Sequence, residues 1–193
     1  EKFPRNLPKY NCTAMYARVM HANIEQKIKD IAKYVETNGI NRVEMRSKEV
    51  GIICTGVMYA YIKDVFPNAS VLKLGMSYPL PQNMIKDFAA QVDKLYVIEE
   101  LDPVIEEQVK AMGVDCIGKA LFPECYELLP DRLVDICLEH DILQKDPRTC
   151  NTAPIEGLPG RNPVLCAGCP HRSTYYVLKK HDIACAGDIG CYN

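Results

Sequence analysis

The chain has 193 residues, 48% of them hydrophobic and 25% charged, and its 23 basic and 25 acidic side chains leave a net charge of −2. This composition supports a packed core in one or two domains and excludes wholesale disorder. The near-neutral charge gives no bulk attraction to nucleic acid, no apolar run nears a membrane span, and Glu1-Lys2-Phe3-Pro4 does not open a signal peptide. The expectation is a cytoplasmic protein with no nucleic-acid or membrane partner.

In chain order, Pro4 and Pro8 mark a loose lead-in. Residues 13–38 carry a helical pattern, with Ile24, Ile28, Ile31 and Val35 on one face and Gly39 at the end. Such a helix is predicted to pack as a brace. Residues 1–46 together form a helical lead-in.

From residue 47 the pattern changes. Apolar runs at 50–54, 70–74, 94–98 and 114–117 read as strands, separated by helical stretches near 57–65, 82–92 and 103–112. Asp102-Pro103 has the form of an N-cap followed by a first helical residue, and a last helix is predicted near 130–142. Alternating strands and helices predict an α/β domain over 47–143, an open and mainly parallel sheet with helices on both faces. Ligands on such sheets meet the carboxyl ends of the strands, which nominates Thr55-Gly56, Gly75 and Glu99-Glu100. No phosphate-binding glycine loop is present there.

Residues 144–163 alternate Pro147, Pro154, Pro159 and Pro163 with Gly157 and Gly160, the composition of a linker. The 30 residues from 164 to 193 are too few for an independent core of this kind. They are predicted to hold a helix near 173–181 and a short strand at 183–186, and to be the truncated start of a further domain.

Cysteine is in excess, ten in all. Cys12, Cys54, Cys116, Cys125, Cys137 and Cys150 are scattered, and Cys54, Cys116 and Cys137 fall in patterns that predict plain core packing. Cys166, Cys169, Cys185 and Cys191 crowd into the last 28 residues. In Cys166-Ala167-Gly168-Cys169 the glycine lets the backbone turn so that two thiolates face one ion or cluster, and a following helix favours the thiolate form. Cys191 lies on a loop with two glycines, and three such sulfurs suit a tetrahedral site or an iron–sulfur cube. A structural zinc site completed by His171 or Cys185, a redox disulfide and simple buried thiols are the alternatives. Covalent haem attachment is excluded, because Pro170 separates the pair from His171.

The stretches Cys166-Ala167-Gly168-Cys169-Pro170-His171-Arg172 and Gly187-Asp188-Ile189-Gly190-Cys191-Tyr192 resemble the alpha subunit of indolepyruvate ferredoxin oxidoreductases, at the start of its thiamine-diphosphate domain. Residues 50–56, 71–81 and 96–103 support the resemblance, which covers most of the chain. It implies a parent enzyme that decarboxylates an arylpyruvate on thiamine diphosphate with Mg²⁺, passes electrons through a [4Fe-4S] cluster to ferredoxin, and releases the acyl group on coenzyme A. It further implies a beta subunit as partner and a transketolase C-terminal-like middle domain serving as scaffold. Carried over by position, Cys166, Cys169 and Cys191 would hold the cluster, and His171 with Gly187, Asp188, Ile189 and Gly190 would face the cofactor. The acidic Mg²⁺ motif and the glutamate that activates thiamine have no match in this sequence, so the chain alone is expected to be inactive and to bind no cofactor. The competing expectation is a non-catalytic α/β scaffold with a zinc site at its terminal cysteines.

Overall fold

The computed structural model describes residues 4, 6–148, 157 and 165–186. The chain divides into two compact units, Glu1–Arg148 and Thr149–Asn193.

The first unit is built on a four-stranded sheet in the order β1-β3-β2-β4, comprising β1 (Arg42–Glu44), β2 (Val50–Thr55), β3 (Ser70–Leu74) and β4 (Lys94–Ile98). β2 runs parallel to both β3 and β4, with Ile53 opposite Leu72 on one side and Val97 on the other. β1 pairs antiparallel with β3 along the sheet edge. The open, mainly parallel α/β sheet expected from the alternating pattern is therefore present. Its edge comes from a segment read as helical lead-in.

Strand side chains alternate between two faces and nucleate two cores. Ile52, Cys54, Val71, Tyr96 and Ile98 pack with helices α3 (Met58–Val65) and α6 (Pro130–Glu139), together with Phe122 and Leu128. Ile53, Leu72, Leu74, Leu95 and Val97 pack on the other face against α4 (Gln82–Ala89) and α5 (Val104–Ala111). β2 is buried on both faces, which explains its unbroken apolar sequence.

Two predicted elements of this unit differ. The run at 114–117 contributes a single parallel bridge, Tyr96 to Ile117, in which Ile117 donates to the Leu95 carbonyl at 3.0 Å and accepts from Val97 at 2.9 Å. Glu106 then takes the Lys119 amide at 2.7 Å, which draws the backbone off the strand path. The long front helix α2 (Ala14–Tyr34) follows the short α1 (Leu7–Tyr10) and buries no side chain, with Ile24 52% exposed. The predicted brace is thus confined to the residues just past α2. There Val35 is fully buried, and the Glu36 carboxylate accepts from the Asn83 and Met84 amides at 3.0 and 3.1 Å, capping α4.

α5 is capped in the same long-range fashion. The predicted cap Asp102 does not supply its side chain; the Glu99 carboxylate, at the end of β4, accepts from the amides of Ile105 and Glu106.

In the second unit α7 (His171–Lys180) starts two residues before its predicted position. Residues 183–186 form no strand. Most of the predicted linker, with Cys150, lies outside the described residues, as do Gly187, Asp188, Ile189, Gly190 and Cys191.

Candidate metal centre

The carboxyl ends of the strands and the Cys166–Cys169 turn are the two places nominated by sequence, and the structure treats them differently. At the end of β3, the buried Asn41 side chain accepts from the Gly75 and Met76 amides at 2.9 and 3.1 Å and donates to the Val35 carbonyl at 3.2 Å. A Cβ at Gly75 would stand 2.5 Å from the Ile40 carbonyl oxygen, so this end is closed by the 35–41 segment.

At the end of β4, both glutamates serve structure. Glu99 caps α5, while Glu100 accepts from the Leu128 amide at 3.1 Å. Glu106, buried beside them, pairs with Lys110 at 2.6 Å. Burial alone would raise the Glu106 pKa, but the Lys110 ammonium and the Lys119 amide outweigh it and hold the carboxyl below its ordinary value. Lys119 donates its ammonium to the Glu99 carbonyl at 2.6 Å, and burial lowers its pKa.

Thr55-Gly56 is the open end. Gly56 has φ 56°, with no atom within 4 Å of where a Cβ would sit. Beyond it, Tyr59 in the first turn of α3 donates to Glu44 at 2.5 Å, and Lys63 donates to the other oxygen of that carboxylate at 2.5 Å. The Lys63 and Tyr59 bonds lower the Glu44 pKa, while the bond to Glu44 raises that of Tyr59. Lys73, Arg42 and Lys63 surround the Tyr59 ring at 4.7, 5.8 and 5.9 Å from its centroid. Sequence reasoning missed this group. The i,i+4 spacing of Tyr59 and Lys63 is legible, but Arg42 and Lys73 meet only through the pairing of β1 with β3.

The cysteine turn is formed as its glycine predicts. The Cys169 amide donates to the Cys166 carbonyl at 3.1 Å, and Gly168 at the third position has φ 75°, a conformation that favours glycine. The Arg172 amide donates to the Cys169 carbonyl at 3.2 Å, joining the turn directly to α7. Cys166 is exposed and Cys169 half-buried. The Cys169 Sγ lies 3.6 Å from His171 Nδ1, so the exposed His171 side chain leans back onto the turn. The N-terminus of the ten-residue helix α7 follows directly on this turn.

Two sulfurs and an imidazole on one bend are the soft donors that zinc and iron–sulfur centres take. Among the described residues no group of three or more metal-binding side chains converges. The turn therefore supplies two corners of a site, and the third sequence candidate, Cys191, lies outside the described residues. Cys185 is exposed and makes no contact with the pair among the described contacts. No described helix is long and apolar enough to cross a membrane.

No model of a known protein family matches the chain. Indolepyruvate oxidoreductase subunit IorA of Archaeoglobus fulgidus is 34% identical to it, over 92% of this chain and 31% of its own length. The subunit of the same name from Pyrococcus horikoshii is 31% identical over 98% of this chain and 32% of its own length. That from Thermococcus kodakarensis is 32% identical over 99% and 33%. The chain thus spans about a third of the length of these relatives. Among solved structures, a 2-oxoglutarate:ferredoxin oxidoreductase from Magnetococcus marinus, with 2-oxoglutarate, coenzyme A and succinyl-CoA bound, superimposes with a TM-score of 0.52 at 17% identity. The match covers 69% of this chain and 24% of that one, and it shows a shared fold.

Proposed function

We propose that this chain, a homologue along nearly all its length of one stretch of indolepyruvate oxidoreductase subunit IorA, is the scaffold and cluster-turn segment of such an oxidoreductase. The observation that carries the reading is the alignment with the A. fulgidus subunit, at 34% identity over 92% of the chain. The parent reaction is oxidative decarboxylation of an arylpyruvate to its acyl-CoA, with electrons passed to ferredoxin, in a cytoplasmic assembly of this subunit with a beta subunit.

In that enzyme thiamine diphosphate with Mg²⁺ serves as an electron sink for the decarboxylated substrate and a [4Fe-4S] cluster carries electrons away singly. The chain's own contribution is positional. The parallel sheet, closed at two strand ends by Asn41 and Glu99, is a rigid base and not a reaction site. The Cys166–Cys169 bend presents two sulfurs to the cluster, with Cys191 as the third ligand. In this reading His171, with Gly187, Asp188, Ile189 and Gly190, would contact the cofactor. The domain limits 47–143 for the scaffold and 164–193 for the cofactor-proximal part belong to the same reading.

The test is an anaerobic assay with indolepyruvate, coenzyme A, thiamine diphosphate, Mg²⁺ and oxidised ferredoxin. The 193-residue chain alone is expected to give no ferredoxin reduction, and the full-length subunit with its beta partner is expected to give it. In that complex Cys166→Ser and Cys169→Ser should abolish electron transfer. Turnover by the isolated chain, or full activity in both variants, would overturn the assignment.

A further inference from the structure

The geometry points to a binding site for a phosphate group beside Tyr59, formed by Lys73 and Arg42 at the open carboxyl edge of the sheet. The inference does not depend on the cysteine turn or on the proposed reaction.

The first observation is a conflict. Arg42 on β1 and Lys73 on β3 are direct cross-strand partners. Like charges placed opposite one another in an antiparallel pair destabilise it. Lys63 adds a third cation on the same tyrosine. The single carboxylate of the group, Glu44, is already engaged by Lys63 and by the Tyr59 hydroxyl, both at 2.5 Å.

The second observation is what Lys73 lacks. It is half-buried, yet among the described residues it makes no hydrogen bond and no ion pair, and its ammonium contacts only the Tyr59 ring face, 4.7 Å from the centroid. Arg42 is exposed, lies 5.8 Å from the same ring centroid, makes no described hydrogen bond or ion pair, and reaches Glu44 only through a longer-range Coulombic attraction. Partial withdrawal of the Lys73 ammonium from water with no bonded counter-charge costs stability, and an anion held between Lys73 and the exposed Arg42 would relieve both that cost and their mutual repulsion.

Position supports the same ligand. Lys73 sits level with Cys54, one residue before the Thr55-Gly56 end of β2, where a Cβ on Gly56 would meet no described atom within 4 Å. An arginine fork and an ammonium, in excess over one engaged carboxylate, suit a phosphate group, whose charge of about −2 is spread over several oxygens, better than a single carboxylate.

The experiment titrates the 193-residue chain with inorganic phosphate at constant ionic strength, read by amide NMR and by thermal unfolding. Acetate and ADP are titrated in parallel. Saturable shifts are expected at Arg42, Tyr59 and Lys73 with phosphate and not with acetate. ADP binding about tenfold or more tighter than phosphate would identify a phosphorylated organic ligand, and equal binding a free ion. Lys73→Met should abolish the phosphate-dependent rise in Tm while leaving the phosphate-free Tm unchanged or higher, since it relieves the repulsion from Arg42. Arg42→Gln gives the same readout should the first variant fail to fold. Equal responses to acetate and phosphate, a phosphate response retained in the variants, or a lower phosphate-free Tm in Lys73→Met would overturn the site.

Discussion

The two carboxylate oxygens of Glu99 lie 2.8 and 3.1 Å from the amide nitrogen of Ile105, so the first residue after β4 closes the first turn of the helix that follows. A glutamate nominated by its place at a strand end to face a ligand is instead consumed in holding the fold. Glu99→Ala orphans the Ile105 and Glu106 amides in a buried setting and should cost about 1–3 kcal/mol. Urea denaturation checks this, with a fall in midpoint and no change in slope.

Glu106 gives the pH dependence. Its pKa is depressed in the folded chain, so it binds fewer protons there than in the unfolded chain. Its contribution is complete above the ordinary glutamate value of about 4.3 and is lost as pH falls through the folded value. Glu106→Gln should therefore be less stable than the parent chain at pH 7 by about 1–3 kcal/mol, with the gap narrowing below about pH 4. Parallel thermal unfolding series at pH 7 and below pH 4 measure the gap.

How far the sequence foretells this arrangement depends on whether a feature is local. The strands 50–55, 70–74 and 94–98 are legible because short runs rich in Val, Ile and Leu, broken in 70–74 only by Lys73, are buried on both faces. β1 is not, because Arg42-Val43-Glu44 has one apolar residue and becomes a strand only by pairing with β3. The caps Glu36 and Glu99 act across 47 and 6 residues, beyond any capping motif read along the chain. The turn at Cys166–Cys169 is legible because a glycine with φ 75° and an i to i+3 hydrogen bond are properties of four consecutive residues.

The cysteines divide by burial. Cys54 and Cys137 are buried, which pushes each thiol up to about 12, and half-buried Cys116 is pushed up to about 11. Thiolate is the reactive form. Iodoacetamide at pH 8 should therefore modify exposed Cys12, Cys125, Cys166 and Cys185 in the folded metal-free chain, but Cys54 and Cys137 only after unfolding. Peptide mass spectrometry of a time course shows the order; early labelling of Cys54 or Cys137 would contradict the packing described.

Gly75 tests the closure of β3. An alanine Cβ there would stand 2.5 Å from the Ile40 carbonyl oxygen and 2.6 Å from the Ile40 Cγ2, so the 35–41 segment must shift and loosen the Asn41 bonds. Gly75→Ala should destabilise the chain by about 1–3 kcal/mol. Amide exchange at Gly75 and Met76 should rise with it, and unaltered exchange would show that Asn41 does not hold this end.

In the proposed parent enzyme the Cys166–Cys169 bend holds an electron-carrying iron–sulfur centre, and metal analysis of the anaerobically reconstituted full-length subunit with its beta partner tests this most directly. Iron with acid-labile sulfide, and an electron paramagnetic resonance signal on reduction that disappears in both Cys166→Ser and Cys169→Ser, is the predicted result. Stoichiometric zinc without sulfide, or iron binding that survives both substitutions, would contradict it.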